Sequence, residues 1–583
     1  MDTRVFVEDN ERIRNFIQLT YITLSSTGAV PLRRLEEAYR SMGPIIHERA
    51  NDDALDSSAL CYAALRLPPC VTGVRKIFLG QSETILEEGG VPMSAWTEVT
   101  ARARRRRYLY DGKDTLICFI ASKSDVDDVI PSLLALQIEW NKAHRILAKA
   151  ELPDTFPAEP EQREAAVARL LETTRDDARK LCGAFGDRLP ETMAAMRREP
   201  MDLYVRNFEA SYCRYRRETE TWWRQIQTQC PDIEHRPVYF VSSNTHSLIN
   251  VLSGFAEEHE DEILRFAEKD PELAEFARRN IDANENLGPR PSDQAAPAGI
   301  ETVVRGNRRA NLLYYLLMRY EQQDATGAVT ERRIAHEERV GVRRISGEKT
   351  LDIPTQVIDL RLLSTACFPD EKCARWSAFA GTDAMVLNID YPLGRTAYFI
   401  LNKLAEHVPR IRGVYVIGKA ASLFADRGDV LIPSSIVDQH TRNQYFFENC
   451  IRVRDVEPFL DGAVHSIYDN QKAVTVLGTF LQNREMLNQF LAAGVTDLEM
   501  EAGPYLAAIY EIAKPKRYPE NEVLSLRLND IDLGIVHYVS DNPLSGRHLS
   551  TRLEQDGVDA TYAATRAVLV RMLTREATRA AEP

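Results

Sequence analysis

The segment TDLEMEAGPYLAA, residues 496–508, sets Glu499 and Glu501 either side of Met500, where a loop or strand gives way to a helix. Two carboxylates at that spacing cannot share a helix face, but at a strand or loop end one can face a ligand while the other packs or caps. A buried carboxylate facing a ribose would accept hydrogen bonds from its hydroxyls. Helix N-cap acidity is the competing reading of the same pair. Arg395 follows the turn Tyr391-Pro392-Leu393-Gly394 at a helix start, where free N–H groups favour an anion; it reads as an anion contact or as an exposed surface arginine. The densest positive run, Arg102, Arg104, Arg105, Arg106 and Arg107, reads as a solvated helix face or loop, with a phosphate patch as the alternative.

Two further polar clusters follow apolar strands, at 122–128 (SKSDVDD) and 242–247 (SSNTHS), and each leads into a helix. Strand ends opening onto helix N-termini are common ligand sites, yet the same residue types serve ordinary capping. His144 and His246 are the only pair there to weigh for a metal, and no ligand spacing supports them. The nine cysteines form no C-x-x-C pair, so no zinc or other metal site is expected.

Stepping outward along the chain, the first half reads as largely helical, with long Arg-, Glu-, Ala- and Leu-rich stretches whose apolar residues recur at three and four positions. Short apolar runs at 115–121 (TLICFIA) and 237–242 (PVYFVS) interrupt it as strands, giving a small α/β element in a helical shell. Residues 286–300, rich in Pro, Gly and Ala, read as a linker, followed by a helix over 308–323 and a charged connector. After 350 the texture becomes strands alternating with helices, which predicts a twisted central sheet flanked by helices on both faces. Strands are expected at 356–364, 384–390, 413–417, 429–433, 473–480 and 533–540, and helices at 395–407, 484–493, 501–513 and 560–579. The expected division is thus a mostly helical unit over 1–285, a linker and connecting helix over 286–349, and an α/β domain over 350–583.

A chain of 583 residues with 44% hydrophobic content is long enough for two or three packed domains. Its formal net charge of −13 argues against a nucleic-acid partner held through phosphates. No apolar run of about 18 residues could span a bilayer. The N-terminus, MDTRVFVEDNERIR, carries no apolar leader core. A cytoplasmic location with reduced thiols is therefore expected, with no membrane partner.

Four segments in order carry a resemblance: YPLGRTAYFILNKLAEHVPRIRGVYVIGKAASLFADRGDVLIPSSIVD (391–438), FLQNREMLNQFLAAG (480–494), DLEMEAGPYLAA (497–508) and HYVSDNP (537–543). Over residues 350–583 the chain resembles the purine nucleoside phosphorylase and methylthioadenosine nucleosidase superfamily. The resemblance implies that Glu501 bonds the ribose hydroxyls, that Met500 packs against the sugar, and that Glu499 matches the additional acid of the phosphorylase branch. It further implies that Asp541 protonates N7 of a purine, where position alone would make it a turn residue before Asn542 and Pro543. Phe480, at a strand end, is expected either to stack on the base or to pack in the core. The sequence departs from the family at Gly418-Lys419-Ala420-Ala421-Ser422, where Lys419 stands at the hydroxyl position of the phosphate turn and Val416 at the arginine position. Lys419 could hold an anion as a point charge or exclude phosphate from the site. Asp370 or Glu371, in the loop after the first strand, could orient a water.

These residues imply a nucleosidase acting on a purine nucleoside or nucleotide, without a cofactor and possibly with phosphate as a partner. A nucleotide-binding regulatory protein and a phosphorylase with an altered phosphate site are the alternatives. The resemblance also implies a homo-oligomer.

Overall fold

The two apolar runs of the first half both form strands, but in different sheets. In the computed structural model, residues 10–581 are described except for 94, 209–210, 272, 279–299, 346–350, 352, 364–380, 461–464, 528–530 and 545–554. The expected linker over 286–300 falls almost wholly outside the described residues, as do Asp370 and Glu371. The first sheet comprises β1 (Val30–Pro31), β2 (Lys76–Gly80), β3 (Thr97–Val99), β4 (Tyr108–Tyr110), β5 (Thr115–Phe119) and β6 (Tyr204–Asn207), ordered β1-β6-β2-β5-β4-β3. Its centre, β6-β2-β5, is parallel. A sheet of this size is more than the small α/β element expected, because four of its strands are too short to show a period of two.

The second sheet has eleven strands: β7 (Val238–Ser242), β8 (Val342–Ile345), β9 (Thr355–Asp359), β10 (Met385–Ile389), β11 (Ile411–Ser422), β12 (Val430–Asp438), β13 (Gln444–Phe447), β14 (Ile467–Thr475), β15 (Asp497–Glu499), β16 (Val523–Leu526) and β17 (Asp532–Asp541). The run at 238–242, which lies before the expected linker, sits between β10 and β11 and is parallel to both. The second sheet is therefore not confined to residues after 350. Nor is it a simple open sheet: β11 pairs with β17, β17 with β12, β12 with β14, β14 with β15 and β15 with β11, which closes a five-stranded ring. A strand long enough to serve two partners makes this possible. β11 runs for 12 residues where five were expected, and its register shifts at Ala420/Ala421; a bulge of that kind bends a strand and re-aims its side chains.

The expected strand at 356–364 ends at Asp359 and turns into the short helix Leu360–Leu363; Ser364 lies outside the described residues. β14 starts earlier than expected and stops at Thr475, so Phe480 lies beyond the strand. The helices Thr396–His407, Arg484–Ala492, Ala502–Ala513 and Gln555–Ala581 fall close to their expected places. No helix among the described residues is long and apolar enough to cross a membrane.

The two halves share a core. One hydrophobic cluster joins Tyr39, Leu133 and Leu136 to Val474, Phe480, Leu487 and Phe490. The helix Lys123–Leu147, closed at its start by reciprocal Ser122 and Asp125 side-chain bonds, runs through this cluster. The helix Ala502–Ala513 approaches the ring so closely that a Cβ at Gly503 would lie 2.6 Å from Asp438 Cβ and 2.8 Å from Thr475 Oγ1. Gly503→Ala is accordingly expected to cost roughly 1–3 kcal/mol of stability, read from chemical denaturation, since the overlap is with short side chains on strands that cannot swing away.

Candidate functional site

The carboxyl ends of parallel strands from the two sheets face each other across a cavity of about 740 Å³. Gln81 after β2 and residues 119–121 at the end of β5 contribute from the first sheet; Asp390 after β10, Lys419 on β11 and Asp541 at the end of β17 contribute from the second. Ligands of α/β proteins commonly sit beyond the carboxyl ends of parallel strands.

Of the residues that the resemblance and the helix-start reading placed in the site, Gly418, Lys419, Glu499, Met500, Glu501 and Asp541 line this cavity. Three separate chain segments bring them together. The bulge that ends β11 sets Ala421 opposite Asp541, so Lys419 and Asp541 occupy neighbouring parallel strands. β15 then delivers Glu499, Met500 and Glu501 at the start of the next helix.

The two glutamates divide their work. Glu499 is buried, and its Oε2 accepts the backbone N–H groups of Glu501 at 2.6 Å and Ala502 at 2.7 Å, while the Thr475 hydroxyl donates to Oε1. It therefore caps the helix and closes the ring through β14, which satisfies N–H groups that a helix start leaves open. Glu501 is left facing the cavity. Burial, with the Glu499 carboxylate beside it, raises the Glu501 pKa to about 8. The sign of the consequence follows from the ordinary value of 4.5: between pH 4.5 and 8 the folded protein holds a proton that the unfolded chain has lost, so this group lowers stability as pH rises through that window. Glu501→Gln should thus melt higher than the native chain, with a gap that opens from pH 5 and levels off above pH 8. A gap independent of pH would refute this.

Lys419 extends into the cavity opening, and among the described residues its ammonium has no ion-pair partner. Enclosure pushes its pKa down, Asp541 pushes it up, and Arg105 and Arg66 push it down again. Behind Glu501, His537 is buried with Nδ1 2.7 Å from Asp497 Oδ2. Burial opposes its charged form, yet the Asp497 carboxylate, aided by Glu499 and Glu501, raises its pKa to about 9. His537 lay within the HYVSDNP segment, but nothing in its spacing marked it.

Phe480 and Arg395 do not line the cavity. Phe480 is buried in the shared core, edge-on to Tyr62 at 5.3 Å between ring centroids, because the chain leaves β14 before reaching it. Of its two expected roles, packing is the one its position fits. The Arg395 backbone N–H donates to Ser124 Oγ at 3.0 Å, and its guanidinium reaches the Tyr518 hydroxyl at 3.3 Å. Val416 is buried in the core.

The largest departure is the arginine run. Residues 102–107 line the cavity; Arg102 and Arg105 stay exposed, as a solvated run would, while Arg104, Arg106 and Arg107 are partly or fully buried. Arg106 is 7% exposed and bonds Asp125 Oδ1 at 2.8 Å and Asp128 Oδ2 at 3.0 Å. Arg104 reaches Asp128 Oδ1 at 2.5 Å, Arg105 pairs with Asp390 across the cavity, and Arg107 pairs with Glu83 at 2.6 Å. The 122–128 cluster therefore both caps its helix and anchors this wall. The 242–247 cluster is spent on the helix start and on bonds to other elements: Asn244 Oδ1 accepts from Ser247 N–H at 2.6 Å, Ser243 Oγ donates to Asn388 Oδ1 at 2.8 Å and Ser242 Oγ accepts from the Tyr505 hydroxyl at 2.9 Å.

His144 Nδ1 is bound to the Met196 carbonyl near the far end of its helix, while His246 sits at the end of β7 in the other sheet; the structure does not pair them. Among the described residues, the ligand atoms of Glu220, Glu406 and His407 lie within 4.8 Å of one another. Lys403 already occupies that group, 2.8 Å from Glu220 and in contact with Glu406, and the group does not line the cavity.

No curated protein matches the chain significantly. Solved structures that align with part of it include a 5′-methylthioadenosine/S-adenosylhomocysteine nucleosidase from S. pneumoniae, with 12% identity over 40% of this chain and 92% of that one, and a TM-score of 0.25. Another is an S-adenosylhomocysteine nucleosidase from Streptococcus pyogenes, at 12% identity over 41% of this chain and 89% of that one, with a TM-score of 0.26. A methylthioadenosine phosphorylase from an antarctic soil metagenomic library aligns at 11% identity over 33% of this chain and 72% of that one, with a TM-score of 0.24. A family model described as a family of unknown function, DUF6909, matches residues 32–574, a span that takes in every strand of both sheets except β1 and every segment of the cavity wall. The chain belongs to the DUF6909 family.

Proposed function

We propose that the cavity binds a purine nucleoside or nucleotide and that the protein hydrolyses its N-glycosidic bond. The observation that carries this reading is the convergence of Lys419, Glu501 and Asp541 from three distant segments on one wall of the cavity. In this reading the ribose hydroxyls bond the Glu501 carboxyl group, whose backbone Glu499 holds at the helix start. Asp541 gives its proton to N7 as the C1′–N9 bond breaks, so the base leaves neutral and the sugar becomes oxocarbenium-like. Water adds to C1′ and its surplus proton restores Asp541. Because Val416 is buried where a phosphate-binding arginine would be needed, hydrolysis is favoured over phosphorolysis.

A second reading rests on a separate observation: the cavity wall comes from both halves, with the Arg105–Asp390 pair bridging them. A ligand there would be felt by both, as a regulatory nucleotide-binding protein needs. Chromatographic detection of free base from purine nucleosides, their 5′-monophosphates and methylthioadenosine, with and without phosphate, separates the readings. Release without phosphate supports hydrolysis; release only with phosphate replaces it by phosphorolysis; binding without release leaves the regulatory reading.

A further inference from the structure

The wall contributed by the first half carries more positive charge than its own carboxylates neutralise. Asp125 and Asp128 are shared between Arg104 and Arg106. Arg66 and Lys419 have no carboxylate within 4.0 Å among the described residues, although both face the cavity. The Nε atoms of Arg66 and Arg104 are buried with no hydrogen-bond partner. Those Nε atoms are closed off from the cavity, so the groups an acceptor from outside the chain would meet there are the remaining N–H donors of Arg66 and Arg104 and the Lys419 ammonium. Arg66 is also held in place: its guanidinium lies 3.3 Å from the Tyr62 ring centroid and its Nη1 donates to the Tyr62 carbonyl at 3.3 Å. A stacked guanidinium presents its donors in a fixed plane, which suits a tetrahedral oxyanion.

We propose that Arg66, Arg104 and Lys419 form a phosphate subsite, and that the ligand of this cavity is a purine nucleoside 5′-monophosphate rather than a free nucleoside. The inference rests on the nucleoside reading for the identity of the ligand, but not for the presence of the anion. Geometry connects the two. In a nucleoside 5′-monophosphate the base and the 5′-carbon leave the same face of the sugar, so the group meeting the base and the group meeting the phosphate must be neighbours. Asp541 and Lys419 meet that condition, since Asp541 pairs in register with Ala421, two residues along β11 from Lys419. The cations also feel one another: burial first and then Arg104 lower the Arg66 pKa, and burial first and then Arg105 and Arg66 lower that of Lys419, against the opposing pull of Asp541 on both. On this account the first half supplies the specificity for the 5′ substituent, and the second half the groups that meet the sugar and base.

The test is calorimetric titration of the full chain with adenosine, adenosine 5′-monophosphate and inorganic phosphate. The monophosphate is expected to bind at least about tenfold more tightly than the nucleoside, with the advantage shrinking as salt rises. Lys419→Gln and Arg66→Gln should each cut that ratio by about tenfold, Lys419→Gln serving as the variant whose exposed position spares the fold. Equal affinities for nucleoside and monophosphate, or a ratio unchanged in both variants, would overturn the proposal. Inorganic phosphate that strengthens nucleoside binding instead of competing with the monophosphate would overturn it too, by making free phosphate the occupant. If neither purine ligand binds while inorganic phosphate does, and both variants lose it, the subsite stands and the nucleoside reading falls.

Discussion

On the proposed mechanism, Asp541→Asn is expected to lower the rate of purine base release by about two to four orders of magnitude, the range that one positioned proton donor contributes. Asparagine keeps the size of the side chain and can still donate a hydrogen bond to N7, but it has no proton to give up as the C1′–N9 bond breaks. The loss should therefore fall on kcat, with KM changed little, because ground-state contacts survive. A riboside with an activated leaving group, such as 4-nitrophenyl riboside, needs no protonation and should be hydrolysed by the variant nearly as fast as by the native protein. That contrast separates loss of the acid from damage to the site. The position supports such a variant, since Asp541 ends β17 at the cavity edge, where its neighbour Ser540 donates to its carboxylate at 3.3 Å. Unchanged base release in the variant would remove Asp541 from the mechanism.

The second large effect is on stability. Arg106→Ala is expected to cost about 3–5 kcal/mol, because it strips a shared guanidinium from two buried carboxylates, leaving Asp128 only Arg104 and Asp125 no arginine partner among the described residues. Asp125 also accepts the backbone N–H groups of Ala121 at 2.8 Å and Ser122 at 3.2 Å, so the disturbance reaches the start of the helix Lys123–Leu147, which crosses the shared core. Arg106→Lys should recover only part of the loss, since an ammonium cannot bond Asp125 and Asp128 together in a fork. pH gives an independent check. Burial raises the Asp128 pKa, but Arg104 and Arg106 outweigh it and hold the carboxyl below its ordinary value of 3.8. Its contribution is thus complete above pH 3.8 and is lost as pH falls through the folded-state value, and in Arg106→Ala acid unfolding should begin at higher pH. Denaturant midpoints within about 0.5 kcal/mol of the native chain would show that the wall is not held by this network.

What the sequence by itself determined is local. Short β-branched runs at 115–121 and 237–242 became strands over most of their length, helices start and stop near their expected places, and the spacing of Glu499 and Glu501 allowed one to face a ligand while the other packed or capped. These follow from backbone periodicity and from open N–H groups at a helix start, which act within a few residues. The tertiary structure alone decided which elements meet. Val238–Ser242 looks the same in sequence whether it joins the first sheet or the second, because a strand's hydrogen bonds carry no label for a partner more than a hundred residues away. Phe480 is apolar in either of its two expected roles; only the early end of β14 placed it against Tyr62. The arginine run shows the same limit for charge. Five arginines in six positions read as solvated because isolated charges are costly to bury, and Arg102 and Arg105 do stay exposed; what lets Arg104 and Arg106 be enclosed is a pair of carboxylates, Asp125 and Asp128, that folding alone carries to them.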